Sequence, residues 1–364
     1  MPPSASDEIR AAIGEAGGAI SFETFMELAL YGANGFYMRG GEAGRRGDFI
    51  TSPEVGPLFG AVLARALDAW WDELGQPEHF AFVDVGAGRG TLARAVRAAS
   101  PRCFGAMEYR AVEVSEAQRK QHPEWVTSTP SIGDDAITGV VFANELLDNL
   151  PFRLMVMDGD WREAHVVARR DGTFAEVLHP ISDEDAERLP LPAPHGARVP
   201  VQAAAGRWLR SAKDHLAGGR VVVIDYASAT TAELSRRPWR DWLRTYRGQA
   251  RGGHYLADPG AQDITAEVAI DQLIAAVGEV DRISTQVDFL RRWGVDQLVD
   301  EGRRAWAASA ARPDLAAMTM RSRVREVEAL CSADGLGAFS VIEVRGDTHL
   351  PRAETSAGGG VKES

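Results

Sequence analysis

The sequence predicts an α/β protein, a mostly parallel sheet with helices on both faces, preceded by a helical N-terminal region. Three observations predict it. Short apolar strands alternate with helical stretches between about residues 80 and 225, the first strand runs into a glycine-rich turn, and the strands that follow end in polar or acidic residues. At 364 residues the chain has room for one large domain with insertions or for two smaller ones, and the alternation favours one. Its 45% hydrophobic and 25% charged residues are those of an ordinary globular protein with a sizeable core.

Taken in order, the polar start is followed by a helix over about residues 7–15. A second helix opens at Ser21 as N-cap with Thr24 three residues on. The glycine density of YGANGFYMRGGEAGRRG excludes regular structure there. Ser52 as N-cap and Pro53 at the first helical position, where a missing N–H costs nothing, predict a helix to about Leu74. The series then reads FAFVDVG (strand), TLARAVRAA (helix), YRAVEVS and GVVFANE (strands), AAAGRWLRSAKDHL (helix) and GRVVVIDYA (strand). Two stretches interrupt it: an antiparallel meander over 153–180, turning at DGD and RDGT, and an Arg- and aromatic-rich segment over 228–275. Arg240, Arg244, Arg247 and Arg251 recur there at helical spacing, with Trp239, Trp242 and Tyr246 on another face, so an amphipathic helix is expected. FSVIEVRG reads as a last, antiparallel strand at the sheet edge. The division expected is 1–75 as N-terminal helical region, 76–345 as main domain with insertions at about 153–200 and 228–275, and 346–364 as a disordered tail.

A net charge of -12 disfavours non-specific contact with nucleic acid or an anionic membrane. No stretch approaches the length of an apolar membrane span, and MPPSASDEIR lacks the pattern of a secretion signal, so a cytoplasmic location is expected. Two cysteines, Cys103 and Cys331, fit no metal-ligand spacing; they point to a reducing compartment and leave a lone disulfide open. His79, His165 and His254 lack partners at metal spacing, so no metal site is expected. Trp70, Trp71 and Trp293 fall on helical stretches and are read as core. The oligomeric state stays open, a dimer included.

The chemistry concentrates in VDVGAGRG. A strand ending in Asp84 and turning through Gly86, Ala87, Gly88 and Gly90 brings bare backbone to a ligand and aims helix N–H groups at it. A dinucleotide fingerprint needs its third glycine where Thr91 stands. The G-x-G-x-G spacing with its preceding acid instead resembles motif I of class I S-adenosyl-methionine methyltransferases. That cofactor has no pyrophosphate and asks for a carboxylate on its ribose hydroxyls. Glu113, followed by Val114, is placed for this at the end of the next strand, and Asn144 and Glu145 end a third on the same edge. The plain alternatives are a strand-ending acid at Glu113 and a helix-dipole acid at Glu145.

RGDFITSPE, VDVGAGRGTL, VEVS, ANELLDNLP, VVIDY, LRTYRG and DITAEV, in this order, resemble the MidA/NDUFAF7-like family of S-adenosyl-methionine-dependent methyltransferases over roughly residues 20–345. The resemblance implies a Rossmann-like class I methyltransferase sheet. It implies that the GDF-T-SPE loop covers the cofactor, which makes Asp48, Phe49, Thr51, Ser52 and Glu54 candidate contacts. It also implies methyl transfer to an arginine of a partner protein. A guanidinium is a poor nucleophile, protonated and delocalised, so carboxylates must grip it and localise its charge. Candidates for the grip are Glu145 and Asp148, three apart and able to share a face on a first helical turn, Asp225 with Tyr226, and Asp263.

The chain departs from the family where Ala227 follows Asp225-Tyr226, where Glu267 and Ala269 replace a His and an Asp, and at Gln202, where relatives often carry Glu. A lost carboxylate and histidine near a presumed acceptor site would change the acceptor. A small-molecule N- or O-methyltransferase and a non-catalytic assembly factor that binds the cofactor are therefore kept as alternatives.

Overall fold

The computed structural model describes residues 3–39, 51–248, 250–309 and 314–346. Its central sheet has seven strands in the spatial order Arg282–Thr285, Ser340–Arg345, Leu216–Asp225, Ile137–Asn144, Phe80–Val85, Met107–Val112 and Thr127–Thr129. The last five run parallel. Ser340–Arg345 is antiparallel, as expected, but it is not the edge: Arg282–Thr285 pairs outside it.

Alternation along each strand divides the core. Phe80 and Phe82 point into a cluster with Phe59, Val62, Trp70 and Phe142, whereas Ala81, Val83 and Val85 point into one with Leu209, Val221 and Leu273. Both faces are covered, which is why these strands read as continuous apolar runs. The meander appears as predicted, Arg153–Asp158, Asp160–Ala168 and Phe174–Pro180, and also takes in Ile20–Ser21 and Arg198–Val201. Against it pack the helices Ala5–Glu15 and Phe22–Tyr31, around Phe22, Phe25, Phe152 and Trp242.

Two expected helices differ. The stretch from 52 to 74 is broken: Thr51 occupies the N-cap position, Ser52–Val55 forms one turn, and the chain re-enters a helix over Pro57–Glu73. Pro57 has no N–H to continue the first turn, and buried Glu326 caps the second by accepting from Leu58 N at 2.7 Å. Of the helix expected across Trp239 to Arg251, the described residues form one only over Trp239–Trp242; Leu243–Arg247 is a strand paired with Asp263–Ala266. Within it Leu243 and Thr245 are buried while Arg244 and Tyr246 are half-exposed, a period of two that the arginine spacing concealed. Cys103 and Cys331 are both free thiols. Residues 347–364 lie outside the described residues. Among the described residues no helix is long and apolar enough to cross a membrane.

Gly60 is the point of closest approach between Pro57–Glu73 and Thr91–Ala99: a Cβ there would lie 2.4 Å from Ala95 Cβ and 2.9 Å from its carbonyl carbon. Alanine in a helix interior normally gains about 1 kcal/mol over glycine. Here overpacking against backbone, about 1–3 kcal/mol, opposes and exceeds it. Gly60→Ala is expected to lower the urea midpoint, and an unchanged or raised midpoint would contradict this packing.

Candidate active site

The Phe80–Val85 strand ends in a turn whose Gly86, Gly88 and Gly90 all have positive φ, 75°, 54° and 74°. Gly86 N and Ala87 N donate to Val112 O at 2.9 and 3.1 Å, which ties the turn to the next strand. Gly88 N donates to Glu113 Oε2 at 3.0 Å and Ser115 N to Glu113 Oε1 at 2.8 Å. Both carboxylate oxygens are thus fixed while each keeps a lone pair. Burial pushes the Glu113 carboxyl up. Asp84, also buried, accepts from Tyr109 Oη at 2.7 Å and is pushed up to about 7, chiefly by burial. His122 braces the turn from outside, its Nε2 2.7 Å from Gly88 O and its Nδ1 2.8 Å from Ser128 Oγ.

This turn lines a cavity of about 640 Å³ along the carboxyl ends of the parallel strands. Asp84, Gly86, Ala87, Gly88, Glu113 and Val114 form one side, with Ile132 and Asp134 beyond them; Asn144, Glu145 and Leu146 form the floor, and Thr51, Pro53, Glu54, Tyr31 and Tyr37 the opposite wall. Asn144 donates through Nδ2 to Glu145 Oε1 at 2.9 Å, and its Oδ1 is buried without a partner. An orphan acceptor in the floor, bare glycine backbone and an anchored carboxylate are the complement of a ligand bearing an ammonium group and ribose hydroxyls. The residues fit S-adenosyl-methionine, whose contribution would be an electrophilic methyl group.

Behind the floor lies a group of acids. Glu145 itself has φ +53° and is half-buried, its remaining exposure being to the cavity; Asn144, the Ser52 backbone N–H and the Ile224 carbonyl hold it. Burial, then the charge of Asp148, pushes its carboxyl up to about 8. Asp148 accepts at Oδ2 from Tyr226 and from Thr265 Oγ1, the latter at 2.5 Å, and its Oδ1 is buried without a partner. Burial raises it to about 6. Asp263 accepts from Tyr37 Oη at 3.0 Å and Asn149 Nδ2 at 3.1 Å, and burial with the Asp148 charge raises it to about 7. Asp225, fully buried, accepts at Oδ2 from Leu147 N and Asp148 N at 2.9 and 3.2 Å, and burial holds it well above the usual range. Among the described residues no Lys, Arg or His forms an ion pair with any of the four.

The structure therefore sorts the residues singled out in the sequence. Asp84, Gly86, Ala87, Gly88, Glu113, Val114, Asn144, Glu145, Thr51 and Glu54 reach the cavity. Gly90 does not: it starts the Thr91–Ala99 helix and packs against His122 and Pro123. Ser52 is buried with its Oγ on Gln286 Oε1 at 2.8 Å, so only its backbone serves the site. Asp48 and Phe49 lie outside the described residues. Glu145 and Asp148 do not share a face. The turn Leu147–Asn149 is a tight three-residue one that sends Glu145 to the cavity and Asp148 inward, and Asp148, Asp225, Tyr226 and Asp263 stand one layer behind the cavity wall. The departures from the family gather elsewhere. Gln202 Nε2 donates to Glu267 O at 3.2 Å and its Oε1 accepts from Ala269 N at 2.8 Å, Ala227 pairs with Val268, and Glu267 holds Arg237 in a two-bond ion pair at 2.7 and 2.8 Å. They knit backbone together and do not line the cavity. Sequence reasoning missed Tyr31, Tyr37, His122 and Asn149; of these only Tyr31 and Tyr37 carried a signal, their place in the glycine-rich YGANGFYMRGG.

Fold and site together define a class I S-adenosyl-methionine-dependent methyltransferase. The family described as "Putative S-adenosyl-L-methionine-dependent methyltransferase" matches residues 62–287, and the chain belongs to this family. The mitochondrial protein arginine methyltransferase NDUFAF7 homolog of Drosophila melanogaster is 29% identical over 73% of this chain and 68% of its own length. The mitochondrial protein arginine methyltransferase NDUFAF7 of Xenopus tropicalis is 26% identical over 77% and 73%. A Burkholderia thailandensis protein solved with S-adenosyl-homocysteine bound superposes with a TM-score of 0.82 at 28% identity, over 94% of this chain and 92% of its own.

Two outcomes follow from the site. Valine at Gly88 meets a left-handed φ of 54° and places branched carbon on the cavity side, so Gly88→Val is expected to abolish calorimetric binding of S-adenosyl-homocysteine while the far-UV spectrum survives. Retained affinity would remove the turn from the cofactor site. Glu145 binds its proton more tightly folded, near 8, than at its ordinary 4.5, so the native state holds more protons across that window and the stability this group adds is lost as pH rises through it. Glu145→Gln is therefore expected to gain in melting temperature relative to the parent between pH 6 and pH 9 (roughly spanning that titration), and a constant difference would contradict the shift.

Proposed function

We propose that this methyltransferase acts on the guanidinium of an arginine side chain in a partner protein. The observation that carries the reading is a cavity-facing carboxylate, Glu145, backed by three buried acids, none of the four in an ion pair among the described residues. Buried acids without counter-ions hold their protons, and a cation entering the cavity favours their ionised form. Glu145 would then grip the guanidinium and localise its charge. It would also accept the proton that the acceptor nitrogen gives up when its bond to the methyl carbon forms and the sulfur–methyl bond breaks. The relatives named above as protein arginine methyltransferases support the same reading. The small-molecule alternative rested on Gln202, Glu267 and Ala269, which bind backbone and Arg237 away from the cavity.

Purified protein with radiolabelled S-adenosyl-methionine and a host lysate tests it. Label is expected on a discrete protein band, recovered as methylarginine after hydrolysis and lost in Glu145→Gln although cofactor affinity is retained. Label confined to metabolites would favour a small-molecule acceptor, and label nowhere a non-catalytic assembly role.

A further inference from the structure

Tyr31 and Tyr37 belong to neither the glycine turn nor the acids, yet both rings line the same cavity as Glu145. Tyr31 ends the Phe22–Tyr31 helix, and the chain then doubles back: Phe36 N donates to Ala29 O at 2.9 Å and Tyr37 N to Leu30 O at 3.0 Å. Gly35 permits this, since a Cβ there would fall 2.6 Å from the Leu30 carbonyl. The result is a stacked pair, centroids 5.4 Å apart and planes 21° from parallel. Both hydroxyls are spent on the wall, Tyr37 Oη donating to Asp263 at 3.0 Å and Tyr31 Oη to the Asn149 carbonyl at 3.3 Å, which leaves ring carbon for the cavity. Burial and the charges of Asp263 and Asp148 hold both phenols well above their usual range, so the pair stays neutral.

We propose that the Tyr31–Tyr37 pair is the specificity wall of the acceptor pocket, a neutral aromatic surface that receives a planar cation and passes it to Glu145. The proposal rests on the arginine reading above and adds the groups that choose a guanidinium over an ammonium. A guanidinium is planar and weakly hydrated, so it gives up water readily to lie against aromatic carbon, whereas an ammonium is a compact, strongly hydrated charge. The acids alone attract any cation; the rings reward the flat one.

Calorimetry on the full chain saturated with S-adenosyl-homocysteine tests this, using a blocked Gly-Arg-Gly peptide and its lysine and citrulline counterparts. The parent is expected to bind the arginine peptide at least about tenfold more tightly than the lysine peptide, and Tyr31→Leu and Tyr37→Leu each to weaken the arginine peptide by roughly tenfold. Tyr31→Phe and Tyr37→Phe, which keep the ring, are expected to stay within about threefold of the parent. S-adenosyl-homocysteine affinity in the same samples reports whether each variant is folded. Leucine variants that bind the arginine peptide like the parent would overturn the wall while leaving the arginine reading intact. A parent that binds no arginine peptide would overturn the arginine reading and the wall with it. Phenylalanine variants as impaired as the leucine ones would assign the pair's effect to its hydroxyls and overturn the proposal.

Discussion

The hydrogen bonds accepted by the Asp225 carboxylate set the geometry on which the site depends. Leu216–Asp225 and Ile137–Asn144 pair in parallel up to Ile224 and Asn144, and the chain leaving Asn144 must turn while buried. Its N–H groups need partners there, because an unmet buried donor costs about as much as a lost hydrogen bond. Asp225 supplies them to Leu147 and Asp148 from Oδ2, and its Oδ1 accepts from Tyr226 N at 3.0 Å. The turn so fixed aims Glu145 at the cavity, Asp148 at Tyr226 and Thr265, and Asn149 at Asp263. An acid spent on backbone thus places the acids that face or support the ligand.

The opposite wall is held from behind by parts of the chain far away in sequence. Ser52 Oγ donates to Gln286, whose Nε2 donates to Leu330 O at 3.0 Å, and Glu326 caps the helix that begins at Pro57. Gln286 lies at the end of the family match and Leu330 and Glu326 beyond it, so the C-terminal helices complete a site whose chemistry lies within the matched region or just before it. Through the Ser52 backbone N–H they reach Glu145 itself.

What was legible in the sequence was local. Glycine spacing and strand period located the turn, Glu113, Asn144 and Glu145, because each is fixed by its own strand end. The inward direction of Asp148 was hidden, since a three-residue offset means a shared face only on an α-helix, and here the turn is tighter. The strand over Leu243–Arg247 was hidden by arginines whose spacing also satisfies a helix, and only its pairing with Asp263–Ala266 decides. Gln202 and Glu267 looked like acceptor determinants because resemblance marks position in a motif; their hydrogen bonds to backbone and Arg237 reveal a structural use. Tyr31 and Tyr37 reach the site by a doubled-back chain that no periodicity announces.

How the chain treats its other buried acids sharpens the meaning of the group behind the cavity. Glu343, 3% exposed, is met by Arg220 and Arg292; Glu267, 7% exposed, by Arg237 and Arg244; and half-buried Glu176 by Arg198 at 2.6 and 2.7 Å, whereas buried Asp84 and Glu326 are met by hydroxyls and backbone. A buried acid paired in this way is neutralised in place, and removing one partner is costly because the other is stranded. Among the described residues Glu145, Asp148, Asp225 and Asp263 receive only phenols, hydroxyls, amides and backbone, and their proton affinities rise accordingly. A resident arginine would have stabilised them and closed the floor. With none paired to them among the described residues, these acids hold their protons more tightly, and a cation that enters, such as the sulfonium of the cofactor, favours their ionised form.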